Sequence, residues 1–179
     1  MALVRPKSFL FLFVSIGLAA LMLLRGAHAE GASASQPTVV IVVRHAEKSS
    51  EGSRDPALSA MGQERARRLG SMLRDVGITA VYVSDTRRAK ETAEPITASL
   101  GLVAETYPGR EVAALIEQVL KSTAGRTVLV VGHSNTVPEM ISLLTRGRES
   151  VVLRDDEYDA MFIVTIGHHE APALLRLRY

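Results

Sequence analysis

The sequence predicts an α/β fold: a single three-layer α/β/α domain with a mainly parallel central sheet and an antiparallel edge strand. Residues 39–43 and 128–131 are continuous apolar runs, which are typical of strands covered on both faces. Strand-like and helix-like segments alternate between them, as in α/β domains. The two strand-like segments that end the chain, "DAMFIVTI" and "ALLRLRY", predict an antiparallel pair at the edge of the sheet.

The predicted elements follow one another through the middle of the chain. Residues 58–77 predict the first helix, because apolar residues recur at helical spacing between Ser59, a suitable N-cap, and Gly77, a C-terminal stop; these residues are Ala66, Leu69, Leu73 and Val76. The remaining predicted elements are a strand over 79–84, a helix over 85–100, a weak strand over 102–105, a helix over about 110–122 and a helix over 136–145.

Residues 1–29 are set apart from this domain. Basic Arg5 and Lys7 precede an apolar stretch over 9–24, and small residues flank a cleavage position after Ala29. This pattern predicts a signal peptide, and therefore an exported protein that is periplasmic or secreted. The alternative is an uncleaved membrane anchor, since the apolar stretch is only slightly short of a spanning helix.

The composition of the remaining chain excludes two function classes. Three of the 21 basic residues lie in the leader, and the 18 that remain face 19 acidic residues, so the basic excess that nonspecific nucleic-acid binding needs is absent. The chain has no cysteine, which excludes thiol chemistry and disulfides. Residues 30–37 are small and polar and predict a flexible linker before a domain over 38–179.

Charged and imidazole side chains follow three of the predicted strands. Arg44 and His45 come directly after the first strand, His133 follows the strand over 128–131, and Arg87 follows the strand that ends at Ser84. Ligands of open α/β sheets bind beyond the carboxyl ends of the strands. Two arginines and two imidazoles converging there predict a pocket for an oxyanion such as phosphate.

A metal site is the alternative for the same residues. Imidazole is a common metal ligand, and Glu47 or Asp85 could complete a ligand set. Arg44 and Arg87 would repel a cation, so we favour an anion and predict no metal.

Four stretches resemble, in order and context, the histidine phosphatase superfamily: "RHAEK", "DPALSAMGQERA", "VYVSDTRRAKETAEP" and "VGHSN". The similarity is to the branch of phosphoglycerate mutases and phosphohistidine phosphatases, and it implies a phosphoglycerate mutase-like fold that works without metal or organic cofactor. It implies that Arg44 and His45 form the family signature with His45 as nucleophile. It also implies that Arg87 and His133 bind the phosphoryl group.

The general acid is less clear. Mutase-like relatives place a glutamate about two dozen residues after the second arginine, and Glu111 lies 24 residues after Arg87. The tryptophan-containing loop of those relatives is absent, and Glu111 could instead complement a helix dipole in a first turn. Without an acid, activity would be confined to leaving groups that need little protonation.

The predicted function is a metal-independent phosphatase that hydrolyses phosphomonoesters or phosphohistidine through a phosphohistidine on His45. The alternative is a noncatalytic phosphate-binding or scaffold protein on the same fold. The expected partners are phosphorylated small molecules, envelope phosphosugars or phosphoproteins. Nucleic acid is not expected, and membrane contact is expected only through an uncleaved leader.

Overall fold

A computed structural model of the chain describes residues 36–50, 52–167 and 170–179. These residues belong to one unit, Ser35–Tyr179. The predicted signal peptide over 1–29 and all but the end of the predicted linker over 30–37 lie outside the described residues. Among the residues that are described, no helix combines the length and the apolar character needed to cross a membrane.

Strands and helices alternate along the described chain, as predicted. In order, they are β1 (Thr38–Arg44), α1 (Ala60–Leu73), β2 (Ile78–Ser84), α2 (Arg87–Leu100), β3 (Glu105–Tyr107), α3 (Val112–Ser122), β4 (Thr127–Gly132), α4 (Thr136–Leu144), β5 (Ala160–Ile166) and β6 (Ala173–Arg178).

The strands form one six-stranded sheet in the order β3-β2-β4-β1-β5-β6. The neighbours among β1 to β4 pair in parallel, β5 pairs antiparallel with β1, and β6 pairs antiparallel with β5. The prediction of a mainly parallel sheet with an antiparallel edge is therefore confirmed. Since β1 and β4 are parallel neighbours with Arg44 opposite Gly132, the residues that follow both strands lie at one edge of the sheet.

Helices cover both faces of the sheet. Buried residues of α1 and α2 form one core cluster with Ile41 and Val43 of β1, while buried residues of α3 and α4 form the other with Val40 and Val42. Alternate side chains of a strand point to opposite faces, so β1 needs apolar residues at every position. This explains the continuous apolar run that the sequence shows.

The first helix is attached to the segment that follows β1. Ser59 caps it by accepting a hydrogen bond from Gly62 N at 3.1 Å, as predicted, and Ser59 N donates to the Glu47 carbonyl at 2.8 Å. A Cβ on Gly62 would lie 2.1 Å from the same carbonyl oxygen, so only glycine permits this close approach.

Two predicted boundaries were wrong. The first helix was expected to continue to Gly77, with Val76 on its apolar face, but α1 ends at Leu73 and Val76 is exposed. The third strand was expected over 102–105, but β3 begins at Glu105, where pairing with Tyr82 of β2 starts. Val103 is 89% exposed, so an apolar residue that favoured a strand in the sequence has no partner to pack against.

Candidate active site

The ends of β1 and β4 bring two histidines together. His45 N donates to the Gly132 carbonyl at 2.9 Å, which extends the pairing of the two strands by one residue. The ring centroids of His45 and His133 are then 5.2 Å apart in an edge arrangement. Both imidazoles therefore lie beyond the carboxyl ends of the parallel strands.

His45 is buried and neutral. Its side chain is 5% exposed, and its Nδ1 lies 2.8 Å from the carbonyl oxygen of Ala46. A carbonyl oxygen only accepts, so Nδ1 carries the proton and Nε2 holds a lone pair. The pKa of His45 is lowered to about 3, mainly by burial; the Arg88, His133 and Arg44 side chains also lower it, and the hydrogen bond to Ala46 opposes them.

His133 is held by the first residues of α4. Its N–H donates to Thr136 Oγ1 at 2.9 Å, and its carbonyl accepts from the N–H groups of Thr136 and Val137 at 3.2 and 2.9 Å. Gly132 makes room for this arrangement, because a Cβ there would lie 2.8 Å from Thr136 Oγ1. The short connection after β4 thus sets the position of the second imidazole.

His133 is also neutral, with the opposite tautomer. Arg88 Nη2 lies 3.4 Å from His133 Nδ1, and a guanidinium only donates, so Nδ1 accepts and Nε2 carries the proton. Burial lowers the pKa of His133 to about 4, and the charge of Arg88 adds to that effect. One imidazole therefore offers a lone pair and the other an N–H donor.

Backbone carbonyl oxygens hold one side of the Arg44 guanidinium. Its Nη1 donates to the carbonyl oxygens of Arg154, Asp155 and Glu157 at 3.0, 3.0 and 3.2 Å, and its guanidinium lies 4.0 Å over the ring of Tyr158. Its Nε is buried and has no hydrogen-bond partner in the described part of the chain. A buried donor without a partner is costly, so this N–H is suited to an anion in the pocket.

The predicted position of the second arginine was wrong by one residue. The Arg87 side chain is 62% exposed and its Nε pairs with Glu91 at 2.6 Å, outside the residues that line the pocket. Arg88 is 20% exposed and lines the pocket beside His133. Its Nε, like that of Arg44, is buried without a partner among the described residues.

Helical periodicity accounts for this correction. Arg88 lies four residues before the buried Thr92, whereas Arg87 lies four residues before the half-buried Glu91. Residues four apart share a face of a helix, so Arg88 is on the inward face. The same spacing was available in the sequence, and it would have identified Arg88.

The amino end of α2 is also closed to a ligand. Both carboxylate oxygens of Asp55 accept from Arg87 N, at 3.0 and 2.9 Å, and Asp55 Oδ1 lies 3.6 Å from Arg88 Nη1. Asp55 therefore occupies the first N–H donor of α2, and its carboxylate also lies beside the Arg88 guanidinium.

The pocket around His45 has a volume of about 470 Å³. It is lined by Arg44, His45, Lys48, Arg88, His133, Ser134, Asn135, Asp155 and Tyr158. Three cationic side chains face one carboxylate, so its charge favours an anion. Asp155 and Tyr158 were not predicted, because they come from a loop before β5 that no periodicity or motif marks.

Neither acidic candidate for a metal ligand joins the two histidines. Both carboxylate oxygens of Glu47 accept from Arg65, at distances of 2.7 to 2.9 Å. Asp85 lines a neighbouring cavity with His133, but it does not line the pocket that contains His45. The described residues contain no group of three or more His, Asp or Glu side chains placed to hold a metal ion.

Glu111 does not line the pocket of His45. It is exposed at the residue before α3 and lines an adjoining cavity of about 560 Å³, together with Asp85 and Arg110. The two spaces share Arg88, His133 and Asn135. Glu111 therefore borders the pocket of His45 without lining it.

A comparison with known protein families matches the part of the chain that contains His45. The model of the histidine phosphatase superfamily (branch 1) matches residues 40–111, from β1 to the residue before α3. This segment, which is less than half of the chain, is similar to that superfamily. The family resemblance and the phosphoglycerate mutase-like fold predicted from the sequence are therefore confirmed.

Members of this superfamily are similar to the chain in sequence over a short segment and in structure over most of it. "Probable phosphoglycerate mutase GpmB" of Erwinia tasmaniensis is 38% identical over 68 residues, which are 35% of this chain and 32% of that protein. The match thus spans about a third of the relative's length.

Two solved structures share the fold at low sequence identity. The protein histidine phosphatase SixA, complexed with tungstate, superposes with a TM-score of 0.62 at 21% identity, covering 78% of this chain and 96% of SixA. A mycobacterial glucosyl-3-phosphoglycerate phosphatase superposes with a TM-score of 0.60 at 15% identity, covering 80% of this chain and 99% of that chain. These similarities establish the fold.

Proposed function

We propose that the protein is a metal-independent phosphatase that hydrolyses phosphomonoesters, or phosphohistidine, through a phosphohistidine intermediate on His45. The observation that carries this proposal is the state of His45, a buried, neutral imidazole whose hydrogen bond to Ala46 leaves Nε2 as the nucleophilic nitrogen. It stands beside two arginines, Arg44 and Arg88, whose Nε–H groups have no partner among the described residues.

The surrounding donors suit a phosphoryl group. The Nε–H groups of Arg44 and Arg88 and the Nε2–H of His133 would bind its oxygens, while the positive charge of the arginines offsets its negative charge. Phosphoryl transfer depends mainly on such positioning and charge stabilisation. The arginines and His133 thus supply the electrostatic part of the reaction, and His45 supplies the nucleophile.

The two chemical steps balance. In the first, the lone pair of His45 Nε2 forms a bond to phosphorus, the bond from phosphorus to the leaving oxygen breaks, and the leaving group takes up a proton. In the second, water attacks phosphorus, the bond from phosphorus to nitrogen breaks, and a proton is released with inorganic phosphate. His45 returns to its neutral form.

We propose that the enzyme acts best on leaving groups that depart with little protonation, such as aryl phosphates and phosphohistidine. Glu111, the acid predicted from the sequence, is exposed and lies outside the pocket of His45. An efficient general acid must be within hydrogen-bond reach of the leaving atom. The acid role of Glu111 stays a prediction, and a comparison of alkyl and aryl substrates decides it.

Hydrolysis of p-nitrophenyl phosphate by the full chain, with and without EDTA, tests this function. We expect activity that EDTA does not change and that His45→Ala removes. Loss of activity with EDTA alone would indicate a metal enzyme. Absence of hydrolysis by a wild-type protein that still binds inorganic phosphate would support the alternative, a noncatalytic phosphate-binding protein.

We also propose that the enzyme is exported and acts on phosphorylated molecules outside the cytoplasm. The support is the sequence pattern of residues 1–29. Expression of the full chain in a bacterial host, followed by N-terminal sequencing of the protein from the periplasm, is expected to give Glu30 as the first residue. A protein that stays in the membrane fraction with residue 1 intact would indicate an anchor.

A further inference from the structure

The cavity beside the phosphate pocket contains three charged side chains without partners. Asp85, Arg110 and Glu111 line it, and none of them forms an ion pair or a side-chain hydrogen bond with the rest of the described chain. Two nearby carboxylates differ in this respect, because Asp55 accepts from the first N–H of α2 and Glu91 pairs with Arg87. Unpaired charges that face a cavity are available to a ligand.

This cavity and the pocket of His45 are continuous. They share Arg88 and His133, so a phosphoryl group bound between the two side chains borders both spaces. Gly109 keeps the passage open: a Cβ there would lie 3.5 Å from Asp85 Oδ1 and 3.8 Å from His133 Nε2. The Asp85 carboxylate and the His133 imidazole thus border the same gap, and the substituent of a bound phosphate would enter it.

The charges of the cavity favour a cationic substituent. The charged side chains that are not shared with the phosphate pocket are two carboxylates, those of Asp85 and Glu111, and one guanidinium, that of Arg110. A substituent with an ammonium group would pair with a carboxylate, whereas a carboxylate substituent would meet two like charges. The pocket of His45 has the opposite charge, which suits the phosphoryl end of the same molecule.

We propose that this cavity selects phosphate esters whose substituent carries an ammonium group, and that Asp85 and Glu111 bind that group. The inference rests on the proposed phosphatase function, because the substituent is the leaving group of that reaction. Asp85 is the better placed of the two, since its backbone N–H donates to the Tyr107 carbonyl at 3.1 Å and fixes it at the end of β2.

Three aryl phosphates that differ mainly in charge test the proposal: O-phosphotyramine with an ammonium group, neutral 4-propylphenyl phosphate, and 3-(4-phosphonooxyphenyl)propanoate with a carboxylate. We expect the full chain to have a kcat/KM about fivefold higher for the ammonium substrate than for the neutral one, and lowest for the carboxylate, as exposed ion pairs allow. Asp85→Asn is expected to bring the ratio of ammonium to neutral substrate close to one.

Asp75→Asn is the matched control. It removes the same charge from an exposed residue that follows α1, at the opposite end of the sheet, and it is expected to leave the substrate ratio unchanged. Equal kcat/KM values for the three substrates, or a preference that Asp85→Asn does not reduce, would overturn the proposal.

A binding measurement separates this inference from the proposed function. Calorimetry with the His45→Asn variant is expected to show tighter binding of O-phosphotyramine than of 4-propylphenyl phosphate. If the wild-type protein hydrolyses neither compound but this difference in affinity is present, the proposed catalysis is wrong and the cavity still selects cations. If hydrolysis occurs and the affinities are equal, the inference is wrong and the catalysis stands.

Discussion

The pocket of His45 and the adjoining cavity are built from similar residue types but differ in how those residues are held. In the pocket, Arg44 donates to three carbonyl oxygens, Arg88 lies between Asp55 and His133, and His45 is tied to Ala46. In the cavity, the side chains of Asp85, Arg110 and Glu111 have no partners among the described residues. Fixed geometry suits a reaction centre, because catalysis requires donors that are already in place.

The same comparison explains why the two spaces can have different tasks in one enzyme. The phosphoryl group is common to all substrates, so the same fixed arginine side chains can bind it in every substrate. The substituent differs from one substrate to the next. Exposed, mobile carboxylates can bind a cationic substituent while lowering the affinity for other substituents only slightly. The predictions below separate these two roles.

The largest effect is expected from Arg88 in the pocket. Arg88→Ala removes a donor to the phosphoryl oxygens and is expected to lower kcat/KM for p-nitrophenyl phosphate by about 10² to 10³-fold. Arg87→Ala is the matched control on the same helix, and steady-state kinetics are expected to show a change of less than about threefold, because the Arg87 side chain pairs with Glu91 at the surface. A larger loss from Arg87→Ala than from Arg88→Ala would contradict the assignment.

A smaller effect is expected from narrowing the cavity at Gly109. A Cβ at this position meets its neighbours at ordinary contact distances of 3.5 Å and above, so Gly109→Ala and Gly109→Val should fold. Gly109→Val is expected to lower kcat/KM for naphthyl phosphate about tenfold, with Gly109→Ala intermediate, because the added methyl groups occupy the space of the substituent. Acetyl phosphate is the control substrate. An equal loss on both substrates would indicate damage to the pocket of His45.

The burial of His45 is expected to appear in the pH dependence of stability. Its pKa in the folded protein is lowered to about 3 from an ordinary value of 6.5, so as pH falls below 6.5 the unfolded chain binds a proton that the folded protein does not. The stability that depends on a neutral His45 is therefore complete above pH 6.5, and it decreases as pH falls toward 3. His45→Asn removes this proton uptake and therefore serves as the reference.

Urea denaturation of both proteins between pH 7 and pH 4, in buffers without phosphate, measures the effect. The difference in free energy of unfolding between the wild-type protein and His45→Asn is expected to change by about 1.4 kcal/mol per pH unit well below pH 6.5, with the wild type losing more. A difference that does not depend on pH would mean that His45 is as accessible to protons in the folded protein as in the unfolded chain.

The smallest effect is expected from Glu111 in the cavity. Since it is exposed and outside the pocket, Glu111→Gln is expected to change kcat by less than about threefold on both phenyl phosphate and butyl phosphate. If Glu111 is the general acid, the rate on butyl phosphate alone should fall by about 10²-fold or more. The ratio of the two rates, measured for wild type and variant, distinguishes these roles.

Much of the site could be predicted because strand ends are visible in a sequence. The apolar runs that end at Arg44 and Gly132 mark central parallel strands, and parallel strands place the residues that follow them at one edge. Arg88 could also have been predicted, because its spacing to Thr92 places it on the buried face of α2. The choice of Arg87 followed the motif and ignored the periodicity.

Other features could not be predicted from local patterns. The carbonyl oxygens that hold Arg44 belong to a loop about 110 residues further along the chain. A hydrogen bond to a backbone atom does not require a particular side chain at that position, so the sequence does not show it. The low pKa of His45 is caused mainly by burial. Burial of a polar side chain depends on the packing of the whole fold, so only the structure shows it.

The central claim is that His45 Nε2 forms a covalent bond to phosphorus, and direct detection of that bond tests it best. The full chain is mixed with phenyl phosphate, quenched in alkali, where phosphohistidine is stable, and digested for mass spectrometry. We expect one phosphoryl group on the peptide that contains His45, absent after acid treatment and absent in His45→Asn. A phosphoryl group on His133, or rapid hydrolysis with full activity in His45→Asn, would contradict the proposed mechanism.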